Sequence, residues 1–321
     1  MVAYDRKDAK AWAKQHVKDF YMCPLTPVTE DFRFDEAGIH ENIEKYIDWG
    51  VTGLVVGGFV SECWNVKLSD WMRYHEVVAD AVKGRVDLWT IILDPSVHQA
   101  LEKLDFVEKL GYNGAEVINP VVQLRSDDEI YGYFKYMSDH SNLALWLYRT
   151  AVSGKVISVE LIQRLAELDT VVGVKQGSMN FAETIKIRQN VPDNFVVSHP
   201  DEYFFLQDLR EGGQVLWGEL SYIIYGKKRA QLREYVDLAR AGKWEEAYAK
   251  WETLKPIRGL MDEFFTDVLM KTSTYAAPLA NMKAWYKAMG LKSGPMLPPV
   301  RSATKEREEY VAQRLSEAGV I

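Results

Sequence analysis

The sequence predicts an α/β protein, a (β/α)8 TIM barrel with a helical C-terminal extension, and three observations carry that prediction. Short apolar runs recur at Phe20 to Leu25, Gly53 to Gly58, Leu88 to Leu93, Ala115 to Ile118, Leu143 to Tyr148, Val171 to Lys175, Phe195 to Ser198 and Val215 to Trp217. Val171 to Val174 is a β-branched run, the composition of a strand buried on both faces of a parallel sheet. Helical patterns separate the runs, and strand–helix alternation implies a parallel sheet; eight repeats close into a barrel more readily than they open into a doubly wound sheet. An open sheet would usually carry G-x-G-x-x-G after its first strand, where this chain has Cys23-Pro24-Leu25-Thr26-Pro27, and there is no P-loop.

Taken in order, residues 5 to 18 place Ala9, Trp12, Ala13 and Val17 at helical spacing, so residues 1–18 form a helical segment that plugs or flanks the barrel. The barrel spans 19–227. Its helices are signalled by caps at Asp35, Ser69-Asp70, Ser96, Ser126 with Glu129, Ser158 and Asp201, whose short side chains accept from the free N–H groups of a first turn. From Lys228 the strands stop. Helical patterns continue through Glu234-Tyr235-Val236, Trp244 to Leu260, Val268 to Met270 and Met282 to Met289. Pro295, Pro298 and Pro299 then break the chain before a charged helix from Ala303 to Glu317. Residues 228–321 read as a helical bundle packed on the barrel, since no low-complexity linker intervenes.

Composition removes several function classes. The chain has 321 residues, 47% hydrophobic and 26% charged, the balance of a globular enzyme, and its 10 Trp and 17 Tyr suit buried interfaces or an aromatic-lined pocket. A formal charge of −7, with the cluster Lys227-Lys228-Arg229 too short to track phosphates, argues against nucleic acid as a partner. Cys23 and Cys63 form no CxxC pair and the six histidines lack metal-ligand spacing, so neither a metal nor another cofactor is expected. No apolar run approaches the roughly 20 residues that span a membrane, and the first residues lack a signal-peptide core, which gives a cytoplasmic expectation.

The chemistry centres on Lys175, which follows Val171 to Val174 where the sixth strand would emerge on the catalytic face of a barrel. Apolar walls there strip hydration from the amine and lower its pKa, and a neutral amine can attack a ketone. The plainer alternative is a lysine that ends a strand and reaches into water. Tyr148 ends the fifth strand, one strand earlier, where a phenol can relay protons; a core ring with its hydroxyl at the surface is the alternative. The second strand ends in Gly57-Gly58-Phe59-Val60-Ser61-Glu62, where paired glycines allow a tight turn that points N–H groups at a carboxylate, with Glu62 tying the loop down; an ordinary turn is the alternative.

Together these pieces resemble the dihydrodipicolinate synthase/N-acetylneuraminate lyase family of class I, Schiff-base aldolases. The resemblance runs from about Leu25 to the C-terminus through Leu25-Thr26-Pro27-Val28-Thr29, Gly53 to Gly58 with Ser61-Glu62, Leu147-Tyr148, Gly173-Val174-Lys175 with Ser178, and Gly294 to Arg301. It implies a barrel with a helical extension, Lys175 as the Schiff-base lysine, Tyr148 as the proton shuttle, a small-molecule keto acid and aldehyde as partners, and a homotetramer.

The departures carry information. Phe59 and Val60 stand where the family has hydroxyl residues that contact the keto-acid carboxylate, and Ser61 stands where it has glycine. Tyr148-Arg149-Thr150-Ala151 replaces Y-N-x-P, leaving Arg149 or Lys155 to supply any cation from that loop. Asn119 to Gln123 lacks the tyrosine that the synthase branch lends to a neighbouring subunit. The resemblance therefore implies a lyase acting on pyruvate or another 2-keto acid, with aldolase or hydratase-aldolase chemistry on a hydrophobic or aromatic aldehyde. Phe59, Val60, Ser61 and Trp217 are the expected substrate-binding residues, with Trp64 and Trp146 adding apolar surface. A 2-keto-3-deoxy sugar-acid dehydratase or aldolase is the alternative within the family, and a non-catalytic barrel that binds a small acid is the alternative outside it.

Overall fold

A computed structural model of the chain describes residues 3–120, 124–178, 180–218 and 220–321. Eight strands follow one another: β1 (Asp19–Met22), β2 (Gly53–Val56), β3 (Asp87–Ile92), β4 (Gly114–Ile118), β5 (Ala144–Thr150), β6 (Val171–Gly177), β7 (Val196–Ser198) and β8 (Val215–Gly218). They lie in the order β7-β6-β5-β4-β3-β2-β1-β8, and a parallel bridge between His199 and Leu216 brings the first and last of that order together. The sheet thus closes on itself, and with its helices it forms the expected (β/α)8 barrel followed by C-terminal helices.

Rings placed opposite glycines fill the barrel interior. A Cβ on Gly53 would meet Tyr21 at 2.4 Å, one on Gly114 would meet Trp89 at 2.3 Å, and one on Gly173 would meet Trp146 at 2.7 Å, so each missing side chain makes room for a ring from the preceding strand. Trp217 of β8 stacks on Trp146 at 4.1 Å and on Tyr21 at 5.0 Å, with Trp89 edge-on at 5.0 Å. Rings from β1, β3, β5 and β8 can meet only inside a closed sheet. All four are buried, and such offset and edge contacts suit the aromatic quadrupole.

The helix Ala9–His16 follows a short turn at Arg6–Asp8 and buries Ala9, Trp12 and Ala13. Trp12 stacks on Trp89, and the nearby Tyr4 hydroxyl donates to the Asn113 carbonyl and accepts from the Ala144 N–H. Those backbone groups lie at the starts of β4 and β5, so this segment plugs the floor of the barrel, opposite the strand ends that carry Tyr148 and Lys175.

The capping expectations hold where the side chain can reach its N–H. Asp35, Ser96, Ser158 and Asp201 each accept from their first turn, and Ser126 with Glu129 completes a capping box. The helix expected after Ser69-Asp70 instead begins at Leu68, which places Asp70 inside the first turn, where a carboxylate opposes the positive end of the helix dipole. The stretch Val121 to Gln123, which bears on the missing tyrosine, lies outside the described residues.

Packing sorts the chain into two compact units. The first comprises Met1–Tyr21, Thr52–Gly58 and Lys83–Gly218 and holds nearly all of the sheet. The second comprises Met22–Val51, Phe59–Val82 and Glu219–Ile321. It gathers the helices Glu36–Asp48 and Leu68–Val82 with the C-terminal series Arg229–Arg240, Trp244–Glu252, Lys255–Met261, Asp267–Thr272, Ala276–Ala288 and Lys305–Glu317. Tyr46, Trp71, Tyr74, Trp285 and Tyr286 are buried in its interior.

Candidate active site

The parity of β5 and β6 decides which side chains face inward. Trp146 fills the inner side of Gly173, so two residues further along each strand Tyr148 and Lys175 face inward as well. Register agrees: Tyr148 pairs with Lys175, and Lys175 pairs with Ser198 of β7. An irregularity opposite Leu145 and Trp146 absorbs one extra residue on β6, and without it the slip would turn Lys175 outward.

Lys175 is buried, with 1% of its surface exposed. Its Nζ lies 4.2 Å from the centroid of the Tyr148 ring, which offers the negative face of its quadrupole to the amine. Glu116 of β4, with no exposed surface, places Oε1 3.4 Å from that Nζ. Its Oε2 accepts a hydrogen bond from Trp217 Nε1 at 3.2 Å. The expected pair Lys175 and Tyr148 thus meets, and Trp217 joins them through Glu116 from within the aromatic stack.

Sequence reasoning alone misses Glu116. A signal for it exists, because a carboxylate within an apolar strand of a parallel sheet is buried on either face and needs a partner.

Arg149, the next residue on β5, is committed elsewhere. Its Nε donates to the Ile157 carbonyl at 2.8 Å, and its Nη1 donates to Gln176 Oε1 at 2.6 Å and to Glu183 Oε2 at 2.9 Å. The guanidinium holds the Glu183 carboxyl below its usual range, and the Ser178 hydroxyl adds to the effect. These bonds tie the ends of β5 and β6 to the helix Phe181–Asn190. Lys155 is likewise held, by the Arg125 carbonyl and Asp127 at 2.5 Å each.

The loop after β2 belongs to the second unit from Phe59 onward. Glu62 adopts φ 57°, a left-handed conformation that costs a non-glycine residue about 1–3 kcal/mol and must be held by its surroundings. The holding groups are the Leu297 N–H, which donates to Oε2 at 2.8 Å, and Lys283, whose Nζ lies 2.6 Å from Oε1. Lys283 also donates to the Pro295 carbonyl, so Glu62 ties this loop to the Gly294 to Arg301 segment, as a loop anchor should. Ser61 is buried and donates to the Pro24 carbonyl at 3.3 Å; Val60 is buried beside it in sequence; Phe59 lies parallel to Tyr275 with centroids 4.8 Å apart. Trp64 is exposed at the surface, with its N–H on the Phe59 carbonyl.

Among the described residues no cluster of His, Cys, Asp and Glu could hold a metal ion, and no helix is long and apolar enough to cross a membrane.

Comparison with known proteins agrees with this architecture. A 4-hydroxy-tetrahydrodipicolinate synthase 1 of Halalkalibacterium halodurans is 27% identical over 288 residues, 89% of this chain and 92% of the relative. The 4-hydroxy-tetrahydrodipicolinate synthase of Methanothermobacter thermautotrophicus is 26% identical over 228 residues, 70% of this chain and 79% of the relative. Among solved structures, a putative dihydrodipicolinate synthetase from Pseudomonas aeruginosa superposes with a TM-score of 0.82 at 20% identity, covering 94% of this chain and 99% of that one, which establishes the shared fold. The model of the dihydrodipicolinate synthetase family matches residues 17–318, so the chain belongs to that family and is an enzyme, a lyase of the class I aldolase type.

Proposed function

We propose that the enzyme forms a Schiff base between Lys175 and pyruvate or another 2-keto acid, and that it works as an aldolase or hydratase-aldolase on a hydrophobic or aromatic aldehyde. The observation that carries this reading is the buried Lys175 Nζ at the end of β6, 4.2 Å over the Tyr148 ring. Attack by the amine on the ketone gives a carbinolamine. Tyr148 carries protons as the carbinolamine loses water, and the protonated imine is the electron sink for making or breaking the adjacent C–C bond. The choice of aldehyde is supported by the residues that replace hydroxyls after β2: Phe59 stacks on Tyr275, Val60 is aliphatic, and Ser61 has its hydroxyl on a backbone carbonyl. A polyhydroxylated acceptor would leave hydroxyls unpaired against such residues, at about 1–3 kcal/mol each. Cytoplasmic location and a homotetramer belong to the same proposal.

Borohydride reduction with a panel of 2-keto acids, read by intact mass and peptide mapping, tests the chemistry. The expected result is one adduct, on Lys175, that Lys175→Arg abolishes, because a guanidinium stays protonated. An adduct on another residue, or turnover without any adduct, overturns the mechanism. For the acceptor, a higher kcat/KM with a polyhydroxylated aldehyde than with a matched aromatic one overturns the hydrophobic assignment.

A further inference from the structure

Lys175 has a carboxylate facing it from within the barrel. Glu116 is completely buried on β4, between a 3.4 Å contact with Lys175 Nζ and a 3.2 Å hydrogen bond from Trp217 Nε1. The other polar and titratable groups named on the barrel strands have partners of their own. Tyr148 of β5 lies under Nζ, and Ser198 of β7 donates to the Val174 carbonyl. His199 beside it directs Nε2 at the Ser178 carbonyl and Nδ1 at the Asp201 N–H. Tyr21 of β1, stacked on Trp217, hydrogen-bonds Asp87 of β3, and Arg149 is bound to Gln176 and Glu183. β2 places Gly53 against Tyr21, and β8 contributes Trp217. Of these groups, Glu116 is the acid that comes within ion-pair distance of the lysine amine.

We propose that Glu116 is the counter-ion and proton acceptor of Lys175: it takes the proton that frees the amine for attack, and its carboxylate afterwards neutralises the iminium. The inference rests on the Schiff-base reading above. Counted from the ion pair, the site holds an ammonium and a carboxylate 3.4 Å apart. One proton moves to Glu116, leaving a neutral amine beside a carboxylic acid, an exchange that a water-poor interior favours because it removes two buried charges. The amine bonds to the ketone carbon, the former carbonyl oxygen collects two protons and leaves as water, and Glu116 returns the proton it held. The nitrogen passes from three hydrogens to one, and the two it gives up depart in the water. One positive and one negative charge stand at the site before and after, so imine formation adds no net charge to the interior.

Glu116→Gln tests the inference, since it keeps the shape and leaves a carbonyl oxygen for the Trp217 N–H. With subsaturating pyruvate, trapping at Lys175 is followed as the pH is raised from neutrality, since an iminium deprived of a counter-ion sheds its proton more readily. The variant is expected to trap about tenfold less adduct than the wild type, with a further fall as the pH rises, and Glu116→Asp to recover part of the loss. A folded Glu116→Gln protein, checked by circular dichroism, that traps adduct to the wild-type extent with the wild-type pH profile overturns the inference and leaves the Schiff base standing. No adduct in the wild type overturns both. A measurement on the wild type alone guards against misfolding of the variant: the 13C shift of the imine carbon formed from labelled pyruvate should stay at its protonated value throughout the folded pH range, and titration of that shift near neutrality overturns the inference.

Discussion

At the scale of the residue, the amine of Lys175 has two supports of different kind. The Tyr148 ring favours a cation without taking a proton, whereas the Glu116 carboxylate can accept one. Removing the Tyr148 hydroxyl should therefore separate packing from proton transfer. Tyr148→Phe keeps the ring under Nζ, so the variant is expected to fold, while imine formation slows by about 100-fold, the scale of a positioned acid–base group. Stopped-flow kinetics with pyruvate read this, and a near wild-type rate would make the phenol structural. Lys175 and Tyr148 are legible in the sequence because each ends an apolar run, and barrel geometry puts both ends on one face. Glu116 is not, since its meaning depends on a lysine 59 positions later in the chain (175 − 116) and a tryptophan on β8.

At the scale of the element, the strands are legible to within a few residues, because a strand buried on both faces is an apolar run bounded by polar ends. The filling of the barrel is not. The oppositions of Tyr21 with Gly53, Trp89 with Gly114 and Trp146 with Gly173 are matters of register between strands that helices separate, and no local pattern records register. The loop after β2 shows the same division. Its glycines and Glu62 announce a turn, but the partners Lys283 and Leu297 lie more than 200 residues away. Burial lowers the Lys283 pKa while Glu62 opposes that shift. In Glu62→Ala burial acts unopposed, so Lys283 escapes part of the penalty by losing its proton, while the Leu297 N–H loses its acceptor. A loss of about 3 kcal/mol is expected, the lower end of what breaking a buried pair costs, and urea unfolding at neutral pH measures it. A loss under about 0.5 kcal/mol, the level of an ordinary surface substitution, would show that the loop is held by other contacts.

At the scale of the whole molecule, the count of strand–helix repeats makes the closed sheet legible, while the response of its stability to pH comes from burial that no sequence pattern displays. Asp208, on the helix Glu202–Arg210, is buried, and its carboxyl is pushed up to about 6, first by loss of hydration and against the pull of Arg188, whose Nη2 donates to Oδ1 at 2.7 Å. The other oxygen, Oδ2, has no hydrogen-bond partner among the described residues, so a proton there satisfies an otherwise isolated acceptor. Because the folded pKa lies above the ordinary 3.8, the folded state binds this proton first, and the group adds stability as the pH falls from above about 6 toward about 4. A rise of that size corresponds to about 3 kcal/mol at most. Glu183 and Asp127 act with the opposite sign: hydrogen bonds from Arg149 and Lys155 hold their carboxyls low, so their contribution is present above the ordinary carboxylate range and fades as the pH falls through their folded values. Both are partly exposed, and their share is small. Stability should therefore peak near about pH 5, with a urea midpoint higher there than at about pH 8. Asp208→Asn cannot titrate and should reduce this rise to the share of Asp87 and Asp262, whose carboxyls burial also pushes up, while leaving the loss below about pH 4. A wild-type midpoint that does not rise between about pH 8 and about pH 5, or a rise undiminished in Asp208→Asn, would mean that Arg188 keeps the buried carboxylate ionised across the range.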